Sequence, residues 1–149
     1  MTPKTIIDEF DQSDVDITDE IIECPWFVYD NAGIEHTNYD GETTDDCVIR
    51  ALSIFDNHNY EKWYNIVTAY DKHAWRDGLP YIKLLRLLRD CNFTRKHINN
   101  RPTIAEYAKK TREDSIVITL DHAVAVIGGK IHDQFYSGDE KVILAYTKS

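Results

Sequence analysis

The chain has 149 residues, 42% of them hydrophobic and 11% aromatic, and a formal net charge of −9. That length suits one domain with a core of its own, and the apolar content excludes a disordered chain. An acidic chain disfavours nucleic-acid binding through phosphates, and no apolar run approaches the ~18 residues of a membrane span.

The acidity is concentrated at one end. Residues 1–46 hold fourteen Asp and Glu against Lys4 alone, a net −13, whereas residues 47–149 carry a net +4. This predicts an acidic arm over 1–38, with one short hairpin in it, joined to a domain over 39–149. Residues 1–23 are weakly periodic. Trp26 to Tyr29 is a strand candidate, Asp30-Asn31-Ala32-Gly33 has turn chemistry, and Ile34 to Asn38 is the expected returning strand.

Helical spacing follows. Val48, Ala51, Leu52 and Phe55 predict a helix over 47–57, capped by Asp45 or Asp46. Trp63, Ile66, Val67 and Tyr70 predict a second over 60–75, ended by Asp77-Gly78-Leu79-Pro80. Leucines at 84, 85, 87 and 88 predict a third over 81–90, and Pro102 opens a fourth at about 103–112. Arg86, Arg89, Arg95, Lys96 and His97 read as a solvated helix end rather than a nucleic-acid site. The pattern then changes to strands: 115–120, 122–127, 130–135 and 142–146, with Gly128-Gly129 as a hairpin turn. Helices followed by a small antiparallel sheet define an α+β class.

Three cysteines, Cys24, Cys47 and Cys91, are an odd number without a CxxC pair, which argues against a disulfide framework and a cysteine zinc site. The N-terminal residues lack the basic and apolar regions of a secretory signal. A reducing cytoplasm is the expected compartment.

Cys47 falls on the first turn of a predicted helix, where the helix dipole and unbonded amides favour a thiolate and can stabilise an oxyanion. Asp45 and Asp46 beside it oppose that charge, so a basic partner is required. His122 opens a strand, and the hairpin register returns Asp133 close to it, where a carboxylate orients an imidazole. His132 is the rival histidine and alternates to the opposite face. The plain alternatives are a small buried cysteine and a strand-end histidine. No cofactor motif or metal-ligand spacing stands out.

The block Asp45-Asp46-Cys47-Val48-Ile49-Arg50-Ala51-Leu52, with the later block from Asp121-His122-Ala123-Val124 to His132-Asp133, resembles small papain-like cysteine peptidases, most closely short C39-like members of phages and bacteria. The resemblance covers about residues 39–149. It implies a papain-like fold, Cys47 as nucleophile, His122 as general base and acid, and Asp133 as the orienting residue. It further implies hydrolysis of a peptide, isopeptide or related amide through a thioester acyl-enzyme, with a protein or peptide as substrate. Such enzymes place a Gln donor about six residues before the cysteine. Gly41 stands there in this chain, leaving Asn38, Thr43 and Thr44 as oxyanion candidates. The alternative is a catalytically inactive protein on the same fold that binds and inhibits a host factor through its acidic surface.

Overall fold

The computed structural model describes residues 24–39 and 45–148. In chain order these residues form β1 (Phe27–Tyr29), a 3-10 turn (Ile34–His36), α1 (Cys47–Phe55), α2 (Tyr60–Tyr70), α3 (Ala74–Asp77), α4 (Tyr81–Asp90), β2 (Phe93–Lys96), α5 (Ile104–Lys110), β3 (Ser115–Ile118), β4 (Ala123–Ile127), β5 (Lys130–Asp133) and β6 (Leu144–Lys148). The fold is mixed α+β.

Strand alternation builds two cores. In β3, Ile116 and Ile118 face one side and Val117 the other; in β4, Ala123 and Ala125 oppose Val124 and Val126. The first side packs against the apolar stripe of α1 (Val48, Ile49, Ala51, Leu52) together with Trp63, Val67, Leu84, Leu87 and Leu88. The second packs against Ile104 and Ala108 of α5, with Ile131, Val142 and Phe27. Helices therefore cover both faces of the sheet. The side facing α1 uses alanines along β4, so the helix backbone is seated close against that strand.

The sheet order is β1-β5-β4-β3-β6-β2, with β1 and β5 parallel and every other pair antiparallel. This corrects the expected antiparallel sheet following the helices in three ways. First, β1 pairs with β5 rather than forming a hairpin with residues 34–38. The carboxylate of Asp30 accepts from the Ala32 amide and the Asn31 side chain from the Gly33 amide, which fixes a tight turn. Ala32 and Gly33 sit at φ 67° and 81°, and the chain enters a 3-10 turn that buries Ile34. A side chain at Gly33 would meet the His58 carbonyl at 2.5 Å. Residues 24–38, assigned to the arm from sequence, thus contribute a sheet strand and part of the core.

Second, Phe93–Lys96 is an edge strand, not a helix end. Phe93 packs edge-on to Phe55, Arg95 lies over Tyr146, and Lys96 pairs with Glu113 at 3.2 Å. Third, β6 returns beside β3 instead of β5, so the last four strands are not a meander. The predicted 60–75 helix divides at Asp71, whose backbone is extended and whose carboxylate accepts from the His73 amide at 3.0 Å. α5 starts from a full capping box between Thr103 and Glu106.

Ala125 is fully buried beneath α1. Replacing it with leucine forces the helix off the strand, and overpacking of this kind costs about 1–3 kcal/mol. Urea unfolding of Ala125→Leu is expected to show that loss with an unchanged denaturant slope; stability equal to the parent chain counts against close α1–β4 seating.

Candidate active site

Cys47 is the first residue of α1, and α1 packs across β4. His122 lies one residue before β4, on a turn closed by the Thr119 amide donating to the His122 carbonyl at 2.9 Å. Asp133 ends β5, the strand hairpinned to β4 through Gly128-Gly129. The pairing Ala125↔His132 carries forward to set Asp133 opposite Val124, two positions from His122.

These elements bring the three residues together. His122 Nε2 donates to Asp133 Oδ2 at 2.6 Å. Cys47 lines the same cleft as His122, near enough that its side chain helps to raise the imidazole pKa. With Nε2 committed to the carboxylate, Nδ1 is the ring nitrogen left for sulfur. Asp133 is itself held: it is 6% exposed, and its Oδ1 accepts from the Gln134 amide at 2.7 Å. Burial pushes the His122 imidazole pKa down, but the Asp133 hydrogen bond and then the Cys47 side chain outweigh it and raise the pKa to about 10. That shift favours the imidazolium at neutral pH, with the carboxylate on its Nε2 and Cys47 in the same cleft.

Asp46 is one of the two cap candidates for α1, with Asp45. It precedes the helix but makes no side-chain cap bond. Its carboxylate accepts from Arg50 Nε at 2.8 Å and from the Tyr60 hydroxyl at 2.5 Å, and Arg50 Nη1 donates to the Asn31 carbonyl at 3.1 Å. The carboxylate nearest the cysteine in sequence is thus paired with a half-buried guanidinium. The first-turn amides of α1 are left without that side chain as acceptor.

A cleft of about 340 Å³ opens over these groups, lined by Asp45, Asp46, Cys47, Arg50, Asp121, His122, Asp133, Gln134, Phe135 and Glu140. Phe135 lies on the His122 ring, centroids 5.1 Å apart. Of the oxyanion candidates, Asn38 is exposed and does not line the cleft, and Thr43 and Thr44 lie outside the described residues. Arg50, Gln134, Phe135 and Glu140 line the cleft and were not singled out from sequence. Arg50 was the most accessible of these: three residues after Cys47, it shares a helix face with it.

His132 turns away from the cleft, as its alternation required. Its Nδ1 meets Asp30 Oδ2 at 3.0 Å, and the same carboxylate meets His58 Nε2 at 2.8 Å. Burial raises the Asp30 pKa, but these two imidazole bonds, His132's first, with the Ala32 amide, bring it down to about 2. Asp30 and His58 are far from His132 in sequence, and no local pattern marks them. Among the described residues, no group of three or more His, Cys, Asp or Glu is arranged to hold a metal ion.

No protein-family model, curated protein or solved structure matches this chain.

Because His122 holds its proton more tightly folded than unfolded, its pairing with Asp133 stabilises the fold fully below pH ~6.5 and is lost as pH rises toward 10. The gap in thermal midpoint between the parent chain and Asp133→Asn is expected to be level from pH 5.5 to ~6.5 and to close toward ~10. A pH-independent gap removes the charged His122–Asp133 pair as its source.

Proposed function

We propose that this chain is a cysteine hydrolase of papain-like fold that opens a peptide, isopeptide or related amide bond through a thioester acyl-enzyme. The observation that carries the reading is the His122–Asp133 hydrogen bond in a cleft that Cys47 lines beside the same ring. Its supports are a nucleophile at the start of a nine-residue helix, a base on the strand that helix packs against, and a carboxylate on the next strand.

The sulfur, as thiolate, attacks the carbonyl carbon; a C–S bond forms and the carbonyl π pair moves onto oxygen. The imidazolium beside the sulfur offsets its negative charge before attack. The oxyanion then collapses, the C–N bond breaks, and the leaving nitrogen takes the proton from His122 Nδ1. The neutral ring next accepts a proton from water as that water attacks the thioester carbon. The C–S bond breaks, releasing the acid and restoring thiolate and imidazolium. Asp133 keeps its proton partner on Nε2 throughout and holds Nδ1 toward sulfur. The Cys47 amide on the first turn of α1 and the Gln134 side-chain amide are the donors the cleft offers to the oxyanion.

All three cysteines are half-buried, so accessibility alone does not separate them. Burial additionally pushes the Cys91 thiol up. Iodoacetamide near neutral pH is expected to label Cys47 about tenfold or more faster than Cys24 and Cys91, read by peptide mass mapping. Equal labelling removes the activated nucleophile. Cys47→Ala is expected to abolish amide hydrolysis and His122→Ala to lower it by about 10²–10⁴; a fully active Cys47→Ala chain overturns the enzymatic reading. Acylation needs the charged ring, so its rate is expected to fall as pH rises through about 10. Asp133→Asn is expected to move that limb downward.

A further inference from the structure

The charges lining the cleft do not cancel. Among the described residues that line it, Arg50 is the one lysine or arginine, and its side chain is 13% exposed and committed to Asp46 and the Asn31 carbonyl. His122 is matched by Asp133. Asp45, Asp121 and Glu140 remain, and none of the three has an ion pair with another described residue. Two of them are nonetheless positioned. The Glu140 carboxylate accepts from Thr119 Oγ1 at 2.9 Å, and the Asp45 carboxylate rests over Gly78, 3.2 Å from where a Cβ would stand. Asp121 is next to the proposed base itself and is exposed.

An independent feature points to the same ligand chemistry. Phe135 is 55% exposed although it stacks on His122, so an aromatic ring stands open at the cleft. An open aromatic face with carboxylates around it suits an ammonium or guanidinium group: the ring quadrupole attracts the cation and the carboxylates neutralise it. An anionic group entering the same cleft meets three uncompensated negative charges, and a low-dielectric cleft focuses that field.

We propose that the Cys47 cleft selects a substrate segment carrying a cationic side chain, lysine or arginine, beside the scissile bond, with Asp45, Asp121, Glu140 and Phe135 as the selecting groups. This rests on Cys47 being the nucleophile of the hydrolase reading above.

The test uses the full chain and two reagents of opposite charge with the same reacting group: trimethylammonium-ethyl methanethiosulfonate and its sulfonate-ethyl counterpart. In each, the Cys47 thiolate attacks the sulfenyl sulfur, a mixed disulfide forms, and methanesulfinate leaves. Rates at Cys47 are read by mass mapping and divided by those of N-acetylcysteine. The expected cation-to-anion ratio is about tenfold or more at low salt, collapsing toward one near 1 M salt, where the screening length is about 3 Å. The double variant Asp45→Asn/Asp121→Asn is expected to lower the ratio severalfold, measured relative to its own iodoacetamide rate. A ratio of one or below on a fast-reacting Cys47 overturns the selection of cations while leaving the nucleophile in place. A Cys47 that reacts with both reagents no faster than Cys91 overturns the hydrolase reading and this inference together. In amide substrates, a lysyl or arginyl residue beside the bond is expected to raise kcat/KM about tenfold over glutamyl, and the reverse order overturns the proposal.

Discussion

The site depends on how closely α1 lies against β4. A helix that carries Cys47 on its first turn has to bring that turn close to a ring rooted in the sheet, and side-chain volume between the two elements sets the separation. Here the strand offers Ala123 and Ala125 and the helix offers Ala51, all essentially buried. Leu52, Ile49 and Val48 of the same helix belong to the same core cluster. Small residues in the contact let the backbones approach without leaving a void, which is how a densely packed interior obtains a short distance. The strand–turn–helix order only makes the meeting possible; the alanines set its distance.

Buried charge is managed by pairing in every case near this contact. Asp133 is met by the imidazole and the Gln134 amide, Asp46 by Arg50 and the Tyr60 hydroxyl, and Asp30 by two imidazoles and the Ala32 amide. A carboxylate removed from water is tolerated only with such partners. The arrangement also settles a tension visible in the sequence. Two acids immediately before Cys47 oppose a thiolate; Asp46 is paired with the Arg50 guanidinium, and Asp45, lining the cleft beside Gly78, is countered by the charge on the His122 ring.

Much of the site's geometry was legible because it is local. Helical spacing located α1 and α4, the glycine pair located the β4–β5 turn, and register alone set Asp133 near His122 and sent His132 the other way. What stayed hidden was non-local or depended on side chains competing with the backbone. The stretch after β1 has strand-like residues, but Asp30 and Asn31 bind the following amides and curl it into a 3-10 turn. The strand Phe93–Lys96 is rich in charge because it is an edge, where one side of each residue meets water, and that disguised it as a helix end. The lining of the cleft by Phe135 and Glu140 arises from how the chain after β5 folds back, which no periodicity encodes.

The parallel pairing of β1 with β5 has a consequence for how the chain assembles. Phe27 finds its partner Ile131, and Asp30 its partner His132, only across a span of about a hundred residues, whereas β4 and β5 meet through a two-residue turn. Closing so long a loop carries a large entropic cost that the local hairpin avoids. On a ribosome, β1 emerges early and waits unpaired until nearly the whole remaining sheet has been synthesised. The Asp30 amide donates to the Asp133 carbonyl at 2.8 Å, so this long-range pairing also ties down the strand end whose carboxylate meets His122.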